Sequence, residues 1–219
     1  MNKLLVSLLI STGLMGMAHA AGDADAGKNK VAVCVACHGE GGNSAAPTFP
    51  KLAGQNERYL IKQMKDIQCG GLSAEEQKAK KCVGRPVPTM AGQLDSMSDQ
   101  DLADIAAYYA AQKTTIGQAK ADLALKGEEI YRAGIRAKGV AACTACHSPT
   151  GQGNAPAGFP ALSGQHADYI AAQLRAFRAA ADGLEGRAND GDIKIMRDVA
   201  YRMSDSEIDA VSSYISGLH

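Results

Sequence analysis

Apolar positions along the chain recur at helical spacing and nowhere alternate over a strand-length run. Leu102, Ile105, Ala106 and Tyr109 share one face of a helix that begins after Ser98. Ser98 is placed as its N-cap and Asp101 as the third helical residue. Met97 and Leu102 flank the start as a hydrophobic staple. Met203, Ser204, Glu207 and Ile208 repeat this arrangement downstream. Leu60, Met64 and Ile67 mark another helix, echoed by Ile170, Leu174 and Phe177. A further helical pattern restarts around Ala121 and runs through Leu125, Ile130 and Tyr131. The expected fold is all-α, with helices joined by long loops.

The chain also repeats itself once. Cys34-Val35-Ala36-Cys37-His38 returns as Cys143-Thr144-Ala145-Cys146-His147. Ala46-Pro47-Thr48-Phe49-Pro50 returns, with one extra residue, as Ala155-Pro156-Ala157-Gly158-Phe159-Pro160. Leu52, Gly54, Gln55 and Tyr59 match Leu162, Gly164, Gln165 and Tyr169, and Tyr108 falls opposite Tyr214. Met90 falls opposite Met196, and Met97 opposite Met203. Elements recurring once in the same order indicate two homologous domains, not a solenoid. The expected organisation is a first domain over 21–112, a linker over 113–120 and a second domain over 121–219. Lys113-Thr114-Thr115-Ile116-Gly117 breaks the preceding helix.

The beginning of the chain belongs to neither copy. Lys3 precedes an apolar stretch from Leu4 to Met17, and Ala18-His19-Ala20 is a small-residue cleavage site. Residues 1–20 read as a signal peptide cleaved after Ala20, which places the mature protein in the periplasm. The charge is balanced, with 23 basic and 23 acidic residues. No basic tail or stripe suits nucleic acid. Aromatic content is low and Trp is absent. Domains of this size would have modest cores if built from side chains alone, so a large flat apolar cofactor is a plausible filler.

C-x-x-C-H supplies such a cofactor. Cysteines three apart lie on one face of a helical turn, and both can form thioethers with the vinyl groups of one porphyrin. The adjacent histidine then meets the iron as proximal ligand. Cys34, Cys37 and His38 would hold one haem c, and Cys143, Cys146 and His147 a second. A thioredoxin-like motif lacks its strand–helix context, and a four-cysteine zinc site would have to unite the two halves.

Candidates for the sixth ligand must come in matched pairs. His166 faces Asn56 in the repeat and reads as a polar helix-start residue; His219 is the last residue. Met97 and Met203 are already staples, and Met64 faces Leu174 and should be core. Met90 and Met196 lie in loop-like sequence and are the expected distal ligands. Paired imidazole and thioether stabilise ferrous iron, raise the potential and leave no vacant position. That suits outer-sphere electron transfer and argues against an enzyme.

Other recurring residues have weaker assignments. Pro47 and Pro156 follow the two motifs at equal distances; they either punctuate turns or lie near a carbonyl that orients the proximal imidazole. Tyr59, Tyr169, Arg85 and Arg197 are candidates for haem propionates. Gln55 and Gln165 fit helix-start hydrogen bonding. Cys69 and Cys82 bracket an insertion in the first domain alone and should form a disulfide in an oxidising compartment, restraining the approach to Met90. Lys78-Ala79-Lys80-Lys81 within that insertion reads as a solvated face.

The two C-x-x-C-H domains, the paired F-P-x-L-x-G-Q segments and the two methionines resemble the dihaem cytochrome c4 family. Phe49-Pro50-Lys51-Leu52-Ala53-Gly54-Gln55, Asp104-Ile105-Ala106-Ala107-Tyr108-Tyr109 and Asn189-Asp190-Gly191-Asp192 ahead of Met196 carry the resemblance. It implies two tandem cytochrome c-like domains related by pseudo-twofold symmetry, each wrapped around one covalently bound haem. It also implies Met90 and Met196 as distal ligands, and a periplasmic, sometimes membrane-associated, donor to terminal oxidases. A quinol-oxidising complex is the expected electron source, and a monomer the expected state. The rival readings are a dihaem peroxidase, which needs an open iron, and the cytochrome subunit of a dehydrogenase complex.

Overall fold

The computed structural model describes residues 22–219. The signal peptide and its cleavage point lie outside the described residues. Among the described residues ten α-helices follow one another: α1 (Ala24–Lys28), α2 (Val35–His38), α3 (Glu57–Gly70), α4 (Ala74–Lys80), α5 (Asp99–Ala110), α6 (Ala121–Ala133), α7 (Thr144–His147), α8 (Ala167–Ala181), α9 (Ile195–Tyr201) and α10 (Asp205–Ser216). The only β pairing among the described residues is two isolated bridges, Ile135 with Val140 and Asn154 with Phe159. No helix there is long and apolar enough to cross a membrane.

The buried apolar residues fall into two clusters, one in each half. Val31, Leu60, Ile105, Ala106 and Tyr109 form the first. The second gathers, among others, Ile130, Tyr131, Phe177, Met203, Ile208 and Ile215. In each half the last long helix is the hub. The first-half hub α5 packs on α1 and α3, and α10 packs on α6 and α8. Both hubs start as the pattern predicts. Ser98 accepts from the Asp101 amide while Asp101 reaches back to the Ser98 amide, and Ser204 and Glu207 do the same. Leu102 and Ile208 are fully buried beside these caps, Met203 is buried, and Met97 packs against the first cluster.

The helix α1 is too short for periodicity to reveal. Its hold on α5 is polar. Lys30 bridges the carboxylates of Asp101 and Asp104 at 2.6 Å each, and the Asp23 amide donates to Asp104 at 2.9 Å. Two glycines then allow backbone-to-backbone crossings. A Cβ on Gly27 would stand 2.0 Å from the Asp104 carbonyl oxygen, and one on Gly127 2.3 Å from that of Ala210. Gly127, Ile130 and Tyr131 are buried on the inner face of α6. Leu125, expected on that face, is 83% exposed because it falls two residues from Gly127, on the opposite side of the helix.

Residues 113–120 form no helix but are pinned throughout. Asn43 brackets Lys113 and Thr115, Thr114 bonds the Ala53 carbonyl, and the Gly117 amide donates to Ser216. Lys120 closes the strap through the Ser213 hydroxyl. The insertion in the first half forms α4, which has its own capping box at Ser73 and Glu76 and buries no residue. A disulfide between Cys69 and Cys82 closes it.

Gly127→Ala should cost about 1–3 kcal/mol in a chemical denaturation midpoint, because backbone cannot yield as a flexible side chain can. Acid should release α1. Three donors, first the Asp23 amide, then Lys30 and Gln100, hold the Asp104 carboxyl down to about 2 from 3.8. A depressed carboxyl stabilises the clasp above its unfolded value and loses that contribution as pH falls toward its folded value. Amide exchange in α1 should therefore accelerate between pH about 4 and about 2, ahead of exchange in α6.

Candidate cofactor sites

Each C-x-x-C-H motif closes on a single helical turn, α2 or α7. The turn places both cysteines and the histidine of one motif on the wall of a cavity of about 1360 Å³ that extends through both halves. Ordinary small-molecule pockets span about 300–1,000 Å³, so the space is large for one ligand. His38 and His147 are both buried, at 7% exposure. Among the described residues, no three His, Cys, Asp or Glu side chains gather around a common metal position, as a zinc site uniting the motifs would require.

The F-P-x-L-x-G-Q segment explains itself residue by residue. Phe49 and Phe159 meet the rings of His38 and His147 edge-on, at 6.4 and 6.1 Å between centroids. The next residue supplies the orienting carbonyl. His38 Nδ1 lies 2.9 Å from the Pro50 oxygen, and His147 Nδ1 lies 3.0 Å from that of Pro160. The orienting prolines are therefore Pro50 and Pro160, not Pro47 and Pro156. With Nδ1–H donated backwards, Nε2 keeps its lone pair for a metal. Burial lowers the pKa of both imidazoles, favouring the neutral form that ligation needs. It also raises the Cys34 thiol, and the Cys143 thiol to about 11.

The terminal glutamine of the segment joins the two domains. Gln165 accepts from the Lys51 amide and donates to the Lys51 carbonyl, both at 2.9 Å. Gln55 does the same to Ala161, at 2.8 and 2.9 Å. Lys51 and Ala161 occupy matching places in the repeat, so the four bonds are related by a pseudo-twofold. Each glutamine also accepts from the next amide, as helix-start bonding requires. His166 caps α8 without a side-chain bond to it and instead meets the Ser44 carbonyl across the interface.

Met90 ends a short 3₁₀ turn, Pro88–Met90. Met196 lies in the first turn of α9, not in a loop as expected, because the left-handed Lys194 starts the helix early. Both methionines are half-buried and line the cavity. Met64, expected in the core, and the staple Met203 line it too, while also packing against the apolar clusters. Arg197 is tied to Asp190 at 2.6 Å and braces the start of α9. Unlike Arg85, it is not among the residues that line the cavity.

A crossed polar network fills the middle of the cavity wall. Arg85, from the first domain, donates to Tyr169 and Gln173 of the second, at 3.1 and 2.9 Å. Arg187, from the second, donates to Tyr59 and Gln63 of the first, at 3.0 and 2.8 Å. Sequence reading missed Arg187 because the α4 insertion disrupts the spacing. A signal was present in the dipeptides Gly84-Arg85 and Gly186-Arg187. The Arg85 and Arg187 amides also bond equivalent carbonyls, Asp66 and Ala176. One carboxylate, Asp66, reaches the network through Asn189 and Lys62. Burial would raise the Tyr59 phenol, but Arg187 and Arg85 hold it below its ordinary value. Three cations against one carboxylate leave a net demand for anionic groups, which carboxylate-bearing porphyrins would meet. The buried Tyr109 hydroxyl, which lines the cavity without a hydrogen-bond partner, also fits an absent occupant.

A family model described as cytochrome c matches residues 24–112 and again 124–219. Cytochrome c4 of Azotobacter vinelandii is 57% identical over 219 residues, covering all of both chains. The crystal structure of reduced recombinant cytochrome c4 from Pseudomonas stutzeri superposes with a TM-score of 0.83 at 55% identity. It covers 91% of this chain and all of that one. A thiosulfate dehydrogenase electron acceptor of Thiomonas intermedia is 31% identical over 191 residues, 85% of this chain and 79% of its own. Fold and motifs together define a c-type cytochrome of two tandem domains. Two covalently bound haem c groups go with that class, one for each C-x-x-C-H motif. The chain belongs to the cytochrome c4 family of dihaem electron-transfer proteins.

Replacing both Cys69 and Cys82 by serine should cost about 3 kcal/mol by the chain-entropy model for a loop of this length. The insertion leads into Arg85 and Met90, so the visible spectrum and potential of the first-domain haem should change as well. An unaltered spectrum and potential would leave the disulfide a purely stabilising role.

Proposed function

We propose that the protein is a periplasmic carrier of single electrons. His38 and Met90 ligate the iron of the first domain, and His147 and Met196 that of the second. Cys34 and Cys37 tether one porphyrin, and Cys143 and Cys146 the other. The observation that supports this most directly is that each domain presents one oriented imidazole to the cavity, and that Met90 and Met196 are, among the described residues, the one methionine pair matched in the repeat whose two members both line it. When bound, each haem supplies a one-electron ferric–ferrous couple.

The chain's own residues prepare that couple. The carbonyls of Pro50 and Pro160 hold the imidazole planes and enhance their basicity. The Met90 and Met196 thioethers would take the remaining ligand position of each haem, leaving none for oxygen or peroxide, so that little rearrangement would accompany electron transfer. The apolar walls exclude water, and Arg85, Arg187, Tyr59 and Tyr169 are placed to bind propionates. Domain limits at 21–112 and 121–219, with a leader removed after Ala20, complete the reading. Electrons would arrive from a quinol-oxidising complex and leave to a terminal oxidase, with the monomer at most peripherally associated with the membrane.

A second reading makes the chain the electron acceptor of a dehydrogenase. The similarity to the thiosulfate dehydrogenase electron acceptor supports it. Rates of reduction by such a dehydrogenase and of oxidation by oxidase-containing membranes separate the two.

A redox titration followed by visible spectra tests the ligation. Two low-spin haems per chain are expected, with the far-red sulfur-to-iron band in the ferric form. Met90→Ala and Met196→Ala should each remove part of that band and lower the potential of one haem, because the thioether is what raises it. Fewer than two haems per chain, or a ferric form without the band, would sink the assignment.

A further inference from the structure

The two cofactor sites differ by one uncommitted hydroxyl. Tyr109 projects from α5 and is 1% exposed. Its hydroxyl has no nitrogen or oxygen partner among the described residues, and the polar group beside it is the Cys34 sulfur. The side chain lines the cavity and belongs to the apolar cluster against which Cys34 packs. Burial keeps the phenol protonated, so a donor is available. A buried hydroxyl left unpaired is unfavourable, and phenylalanine would fill the same space without that penalty.

The second domain handles the equivalent positions differently. The repeat that pairs Tyr108 with Tyr214 puts Ile215 opposite Tyr109. Ile215 is buried and also lines the cavity, but it offers no donor. Cys143 packs against a cluster that also holds a phenol, Tyr131 of α6. Its hydroxyl is already committed to the Ser148 carbonyl at 2.7 Å. Only the first site keeps a free proton beside its first cysteine.

We propose that Tyr109 is a positioning residue of the first site, donating its hydroxyl hydrogen to the sulfur of Cys34 once that sulfur is tethered. The bond fixes the tethered edge and draws electron density from it, which favours the ferrous state of this haem alone. This rests on Cys34 being an attachment residue, as read above.

The test is Tyr109→Phe in the two-haem protein, with haem content counted first. A content below two per chain in the unmodified protein would fail the attachment reading, not this one. The first-domain wave, identified by its displacement in Met90→Ala, should move to lower potential while the second-domain wave stays. The holoprotein should also melt at lower temperature, whereas Tyr131→Phe should move neither wave. A second measurement needs no variant: proton NMR of the ferrous protein should show a slowly exchanging phenolic hydroxyl close to the Cys34 β-protons. Unmoved waves, equal shifts of both waves, a higher melting temperature or the absence of that hydroxyl signal would overturn the proposal.

Discussion

The histidine of each C-x-x-C-H motif is held from behind by a prolyl carbonyl, and much of the molecule is arranged around that bond. The carbonyl must sit at a fixed height behind the ring, so the loop after each motif cannot drift. Leu52 and Leu162 tie that loop back to the Gly42 and Gly151 carbonyls. Phe49 and Phe159 press on the ring edge. One glutamine per domain then carries the same loop onto its twin. Orientation of the motif histidine and assembly of the two domains are thus parts of one short segment. A single buried hydrogen bond is worth only about 1 kcal/mol, and the surrounding contacts are what make its geometry dependable.

The two domains use one plan with unequal materials. The second has the fuller side-chain core, while the first buries fewer apolar residues and clasps its short opening helix with ions. Both leave their centres to the porphyrin. The crossed arginines make neither domain complete alone, since each guanidinium satisfies the tyrosine and glutamine of the other. Taking such a charge from water is costly, and a set of fixed acceptors compensates only when both halves are in place.

Much of this was legible in the chain. The repeated motif and the duplicated capping boxes announced two helical domains, because local chemistry at helix starts and attachment turns needs no tertiary context. What stayed hidden depended on distant neighbours. Gln55 and Gln165 looked like local helix-start residues, and their interdomain bonds follow only from how the halves meet. Arg187 was obscured by an insertion that shifted its partner, although its Gly-Arg pair was there to read. Leu125 was assigned inward from apolarity alone, when the neighbouring glycine, not a leucine, makes the close contact. Pro47 and Pro156 drew attention by equal spacing, while the carbonyls in use belong to prolines that an extra residue puts at unequal distances.

The pinned strap between the domains has a consequence for how the molecule handles charge. Asn43, Ala53 and Lys51 fasten it on one side, and Ser213 and Ser216 on the other. The halves cannot swing apart as beads on a string would. Exchange between the two redox centres is therefore a first-order event, indifferent to dilution and viscosity. A partner that met either domain would then have both reducing equivalents within reach of one encounter.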